Sequence, residues 1–281
     1  MFIMDEESSA MKLIIFTDLD GSLLNFDDYS FEDATPSLER IRQAGIPLVM
    51  VTSKTRREVE SLRDNLGFDE PFIVENGGGI FFPTRYRGFP IPNGRWQSGY
   101  TVVRLGVPYI RIRRFFVPLR EQFKVMGFGD LSIKDIARHT GLSHEKAILA
   151  KIREFTEPFH IEDEADLTEL SDLAKAQGMK ITRGGRFQHL IGAGQDKGAA
   201  VRIVRDIFRE NIAGELVSIG IGDSENDLPM LEQVDIPVLI PHPVRGYLDI
   251  QLPRLMRARE HGCRGWNEAV GRILDEFATN H

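Results

Sequence analysis

The sequence predicts an α/β protein: a doubly wound parallel sheet interrupted by an inserted α+β unit. Three observations carry this. Short apolar runs of strand length alternate with amphipathic helical segments over residues 12–83, the β-α-β pattern that builds a parallel sheet. The alternation breaks over residues 84–190 and resumes over 191–281. The charge divides along the same lines: residues 84–190 carry 18 Lys and Arg against 12 Asp and Glu, and the rest of the chain 17 against 30. An acidic sheet unit suits a bound cation and a basic insertion an anion.

Each element follows from local pattern. "KLIIFT" (12–17) is an apolar run that reads as a buried strand. "EDATPSLERIRQAG" (32–45) has helical spacing, with Asp33 or Thr35 as cap, Pro36 in the first turn and Gly45 as stop. "IPLVMVTS" (46–53) is a second strand, "KTRREVESLRDNLG" (54–67) a second helix closed by glycine, and "PFIVENGGGIFFP" (71–83) a strand, a glycine turn and a returning strand. In the insertion, helices are expected near 107–126, 131–139, 143–153 and 165–177, and strands near 99–104, 157–161, 179–183 and 186–191. Beyond it come a helix (197–210), a buried strand (215–222), a short helix (224–234), a strand (236–240) and a terminal helix (265–279).

Bulk properties exclude several classes. A chain of 281 residues is long enough for about two domains. Its net charge of −7 argues against a broad nucleic-acid-binding surface. No apolar run approaches the roughly 20 residues that cross a bilayer, so no membrane partner is expected. The single cysteine, Cys263, rules out a disulfide framework within the chain and fits a reducing, cytoplasmic setting. It is expected in a C-terminal loop as an inert thiol. The opening residues are short, acidic and polar, unlike a signal peptide, and residues 1–11 are expected to form a disordered tail. The oligomeric state has no sequence signal.

The chemistry concentrates at strand ends. In "LIIFTDLDGSLL" (13–24), Asp18 and Asp20 are two apart at the end of the first strand, so both can point to one side. Gly21 permits a sharp exit. Carboxylates so close repel unless a cation or proton intervenes, and a hard divalent ion such as Mg²⁺ suits them. In "GIGDSENDLP" (220–229), Asp223 again ends an apolar strand, with Asn226 and Asp227 on the first helical turn. A doubly wound sheet commonly sets its first and fourth strands side by side and binds ligands at that switch point. Asp18, Asp20 and Asp223 should therefore converge. Thr52 and Ser53 end the second strand at the same edge, and Lys197 opens a helix where it can neutralise a phosphate and an aspartate together.

Taken together, Asp-x-Asp-Gly-Ser, the strand-end Thr, the helix-start Lys and Gly-Asp-x-x-Asn-Asp resemble the four motifs of haloacid dehalogenase-like phosphatases. The insertion resembles that superfamily's large α+β cap on a Rossmann-like core. "TSKTRREVESLRDNLG", "PFIVENGGGIFFP" and "GGRFQHLIGAGQDKG" are similar to the mannosyl-3-phosphoglycerate phosphatase branch. Other capped members usually carry Thr-Gly-Arg where this chain has Thr52-Ser53-Lys54, and Ser22 stands where threonine is more usual.

The resemblance implies a Mg²⁺-dependent phosphomonoesterase working through an aspartyl-phosphate. Asp18 is then the nucleophile and Asp20 the acid and base. Asp18, the Asp20 carbonyl and Asp223 hold the metal. Thr52, Lys197 and the Leu19 amide grip the phosphoryl oxygens, with Ser53, Asn226 and Asp227 orienting them from behind. The implied substrate is a small anionic phosphorylated sugar, mannosyl-3-phosphoglycerate. Its glucosyl analogue or a broader range of sugar phosphates is the alternative. Candidates for reading it are Lys54, Arg56, Glu75, Asn76, Arg183, Arg186, Gln188 and His189. A phospho-accepting signalling switch shares strand-end aspartates, a Thr and a Lys, but wants neither a lid nor the acid/base at Asp20. "GAGQDKG" lacks the Gly-Lys-Ser/Thr of a nucleotide loop, and "GIGDSE" lacks the third glycine of a dinucleotide fingerprint.

Overall fold

The computed structural model describes residues 11–183 and 187–279, and two sheets are present among them. Apart from Met11, the expected tail lies outside the described residues. The larger sheet is built from β1 (Lys12–Thr17), β2 (Leu48–Val51), β3 (Phe72–Val74), β4 (Gly79–Pro83), β5 (Arg95–Gln97), β6 (Tyr100–Arg104), β11 (Leu216–Gly222), β12 (Ile236–Leu239) and β13 (Met256–Arg257). Their spatial order is β13-β12-β11-β1-β2-β3-β4-β6-β5. The smaller sheet orders β7 (Val125–Gly127), β8 (Glu157–Ile161), β10 (Gln188–Gly192) and β9 (Met179–Arg183) as β7-β8-β10-β9, all antiparallel.

The strands from β13 to β3 run parallel and are wound on both faces. β1 shows why its sequence is uniformly apolar. Leu13 and Ile15 pack on one face with α1 (Thr35–Gln43), α2 (Arg56–Leu66) and α9 (Gly262–Thr279), while Ile14 and Phe16 pack on the other with α7 (Lys197–Asn211) and α8 (Leu228–Leu231). Side chains of a strand alternate in direction, so a strand covered twice has no polar face to spare. α2 starts as its sequence allows. Thr55 and Glu58 form a reciprocal capping box, and Gly67 closes the helix in the left-handed conformation.

The large sheet does not stop at residue 83. β4 turns back antiparallel to β3, and β6 and β5 extend it, with Phe81 opposite Val102. Phe72, Phe81 and Tyr100 pack their rings together and fix this edge. The small sheet is covered on one side by α3 (Tyr109–Leu119) and α6 (Leu167–Ala176), through Ile112, Phe116, Leu170 and Ala174. A separate helical hairpin, α4 (Ile133–Thr140) and α5 (His144–Lys151), packs around Ile136, Ala147 and Phe128. Ser132 and Ser143 cap these two helices. Cys263 lies not in a loop but in the first turn of α9, buried, where burial pushes its thiol up. None of the helices is long and apolar enough to cross a membrane among the described residues.

Candidate active site

The site forms because β1 and β11 are neighbours. Their register pairs Thr17 with Ile221, and the Asp18 amide donates to the Ile221 carbonyl at 2.8 Å. Asp18 and Asp223 therefore leave the sheet side by side at its carboxyl edge, the place where an open α/β sheet binds ligands. From α9, the Trp266 indole N–H donates to Thr17 Oγ1 (2.9 Å), whose hydroxyl donates to the Asp18 carbonyl (2.7 Å). Gly21 then turns the chain with φ +86°, and a Cβ there would stand 2.6 Å from Asp223 Oδ2. Only glycine lets the backbone come so close.

Lys197 is the centre of the charge arrangement. Its side chain is fully buried, and Nζ donates to Asp18 Oδ1 and to Asp227 Oδ1, both at 2.6 Å. It reaches them because Gly198 lets the start of α7 press on α8, where a Cβ would meet the Pro229 carbonyl at 2.1 Å. Burial opposes the ammonium charge, but Asp18 and Asp227 outweigh it and hold Lys197 above its usual range. The other oxygen of Asp227 accepts from the Asp223 and Ser224 amides (3.1 and 3.0 Å). Asp227 thus fastens the lysine to the loop after β11.

The carboxylates that remain fit a cation. Oxygens of Asp18, Asp223 and Asp227 lie within 4.8 Å of one another. Burial and then repulsion from Asp227 push Asp18 up to about 7, against the pull of Lys197. The same two causes, with Asp18 added, hold Asp223 well above the usual carboxylate range. Asp223 Oδ1 is buried and accepts no hydrogen bond. Three carboxylates against one ammonium leave the cluster negative, and a divalent cation with oxygen preference balances it. Asp20 faces the same space, its carboxylate 2.8 Å from Lys54 Nζ.

Above this floor lies a cleft of about 920 Å³, its open mouth included, roofed by the small sheet and the α4–α5 hairpin. Asp18, Asp20 and Asp223 line its base. Phe128, Leu142, Arg153, Phe187 and His189 line its upper wall, and Tyr29, His242 and Arg245 its sides.

A sequence profile of haloacid dehalogenase-like hydrolases matches residues 15–90. A glucosyl-3-phosphoglycerate/mannosyl-3-phosphoglycerate phosphatase of Persephonella marina is 53% identical over 94% of this chain and 98% of its own length. The chain belongs to the mannosyl-3-phosphoglycerate phosphatase family of haloacid dehalogenase-like hydrolases. A phosphatase of Methanococcoides burtonii with the same double name is 42% identical, covering 96% of this chain and 99% of that one. A solved structure from Thermoplasma acidophilum shares the fold, with a TM-score of 0.67 over 95% of this chain and 99% of that one, at 19% identity.

In this phosphatase the motif residues converge. Thr52 is buried behind the floor, where its Oγ1 accepts from the Lys54 amide at 3.1 Å, and Ser53 lines the cleft. Asn226 donates to Asn76 Oδ1 at 3.0 Å, while Asn76 Nδ2 is buried with no acceptor. Ser22 is fully buried as well.

The substrate candidates divide, with Lys54 and His189 lining the cleft and others not. Lys54 points at Asp20 and lies over the Tyr29 ring at 4.8 Å. Arg56 is bound by Glu154 (2.8 Å) and Glu60 (2.9 Å) and does not line the cleft. Glu75 is fully buried, and its two oxygens accept from the Glu154 and Phe155 amides at 2.8 and 2.9 Å. Burial pushes it up to about 7, against the pull of Arg153. Both residues fasten the segment that links α5 to β8. Arg183 ends β9 exposed, with Gln188 half-buried opposite it, and Arg186 lies outside the described residues. Among the described cap-strand candidates, His189 alone lines the cleft. Arg153, Tyr29, His242 and Arg245 escaped the sequence reading because they stand in loops, where no periodicity marks a face.

Proposed function

We propose that this phosphatase is magnesium-dependent and hydrolyses both mannosyl-3-phosphoglycerate and glucosyl-3-phosphoglycerate, releasing the glycosylglycerate and inorganic phosphate. The observation that carries this is the 53% identity, end to end, with a relative named for both substrates. The cleft supports it. Charged groups converge at its base, and Phe128, Phe187 and Leu142 give it an apolar wall suited to a sugar face.

In this reading Asp18 attacks phosphorus and the alkoxide leaves, taking a proton from Asp20. Water then attacks the aspartyl-phosphate, gives its proton to Asp20 and frees phosphate and Asp18. Lys197 and Thr52 hold phosphoryl oxygens, with the Leu19 amide. Magnesium, held by Asp18, the Asp20 carbonyl and Asp223, supplies charge that offsets repulsion between carboxylate and phosphate. Asn226 and Asp227 position Asp223 and Lys197. The small sheet and its helices act as the cap that selects the substrate, and the large sheet as the catalytic core. The lone buried cysteine supports a cytoplasmic, reducing setting.

The test is a panel of phosphate esters with Mg²⁺, comparing kcat/KM for the two glycosyl-3-phosphoglycerates with that for simple sugar phosphates. Both glycosyl esters are expected to lead by about 100-fold or more. A flat profile excludes the assignment.

A further inference from the structure

The substrate class above carries two anionic groups, a phosphate and, two carbons from the ester oxygen, a carboxylate. The floor accounts for the first. The second needs a cation within the cleft that is not already neutralised. Lys197 is spent on Asp18 and Asp227, and Lys54 on Asp20. Arg245 stands exposed on the loop between β12 and β13, where water competes for it.

Arg153 differs from all three. It lies just beyond α5, half-buried, on the cleft wall. Its Nε donates to the Ala150 carbonyl and its Nη1 to the Ser53 carbonyl, both at 2.8 Å. Its guanidinium lies over the Phe128 ring, 5.4 Å from the centroid. These contacts fix the side chain through neutral carbonyls; the buried Glu75 carboxyl feels its charge, but among the described residues no carboxylate comes within ion-pair distance of it. Ser53 follows Thr52, so Arg153 is tied to the backbone next to the phosphate site. His189, on β10, lines the same cleft, and its Nδ1 is buried with no hydrogen-bond partner. Burial, Arg153 and Lys197 keep its imidazole neutral, down to about 3. A neutral imidazole can donate one N–H to an anion without adding a charge that would have to be desolvated.

We propose that Arg153 and His189 form a carboxylate subsite that reads the glycerate carboxylate beside the phosphate. This rests on the function proposed above for its substrate, but not for its test. Arg153 makes a charge-assisted contact through its unspent guanidinium donors, and His189 adds one imidazole N–H. An arginine held by carbonyls from both the core and the cap also explains how the subsite keeps a fixed distance from the nucleophile.

The test uses 3-phosphoglycerate and glycerol 3-phosphate, which differ chiefly in the carboxylate, as competitors of p-nitrophenyl phosphate hydrolysis. The unmodified protein should favour 3-phosphoglycerate by about tenfold or more in inhibition constant. Arg153→Met should reduce that preference to within about twofold, and Arg153→Lys should keep part of it, since lysine retains charge but not the fork. His189→Leu should lower the preference by a smaller factor, and it decides the matter if the Arg153 variants fail to fold. No preference in the unmodified protein overturns the subsite. So does an Arg153→Met protein in which both competitors weaken equally, the mark of a mere strut. A clear preference together with failure to hydrolyse either glycosyl ester leaves the subsite standing and overturns only the substrate assignment.

Discussion

The floor and the roof of the cleft are built on opposite plans. The floor packs buried charges against one another. Asp18, Asp227 and Lys197 are almost completely shielded from solvent and satisfy each other at 2.6 Å. The roof is largely apolar among the described residues, with Phe128, Leu142 and Phe187 around the half-buried Arg153 and a neutral histidine. A dense charge cluster at low dielectric can stabilise a transition state but costs stability if any member is lost. An apolar roof tolerates change and shapes what enters. In the proposed function, the difference separates what the phosphatase does from what it accepts.

The sharpest way to break this comparison is at the proposed nucleophile. Asp18→Asn should cut kcat/KM by roughly 10⁴-fold or more on every phosphate ester, with the fold retained by circular dichroism. A residual rate that still discriminates between esters would show that the floor is not the sole seat of chemistry. Next in size is Lys197→Met, which leaves Asp18 and Asp227 without their shared cation. It should cost about 3–5 kcal/mol in urea unfolding. A loss below about 1 kcal/mol would mean that the floor's charges are less interdependent than their geometry indicates.

The smallest effect near neutral pH belongs to the roof. His189 is held neutral, its folded-state value down to about 3 from 6.5. The unfolded chain therefore binds the extra proton, and the stability from this group is present above about pH 6.5 and lost as pH falls toward 3. The slope it contributes is at most about 1.4 kcal/mol per pH unit. His189→Gln should flatten the fall in that window, measured by thermal melts across pH. An unchanged pH profile would mean that the roof histidine is better solvated than its burial indicates.

The same contrast explains what could be read from the chain. Asp18, Asp20 and Asp223 were legible because each ends an apolar strand, and sheet topology alone brings β1 beside β11. Lys197 was legible as the first residue of a helix pointing at that edge. The roof was not. Arg153 follows a helix whose pattern gives no hint of which way the next residue turns. Glu75 and Arg56 stand in suggestive positions, yet their charges are used by the backbone and side chains of the α5–β8 link. Sequence pattern reports which face a residue takes, but not which of two neighbours claims its charge. Arg183 shows the same limit, a basic strand residue that ends exposed.

The pairing of β1 with β11 also sets an order in time. During synthesis the strand that bears Asp18 emerges early, while the strand beside it, the loop with Asp223 and Asp227, and the indole that bonds Thr17 all come from the last third of the chain. A nascent chain cut short before α7 holds the proposed nucleophile but neither its counter-ion Lys197 nor its neighbour β11, so the site cannot assemble until those segments have been made.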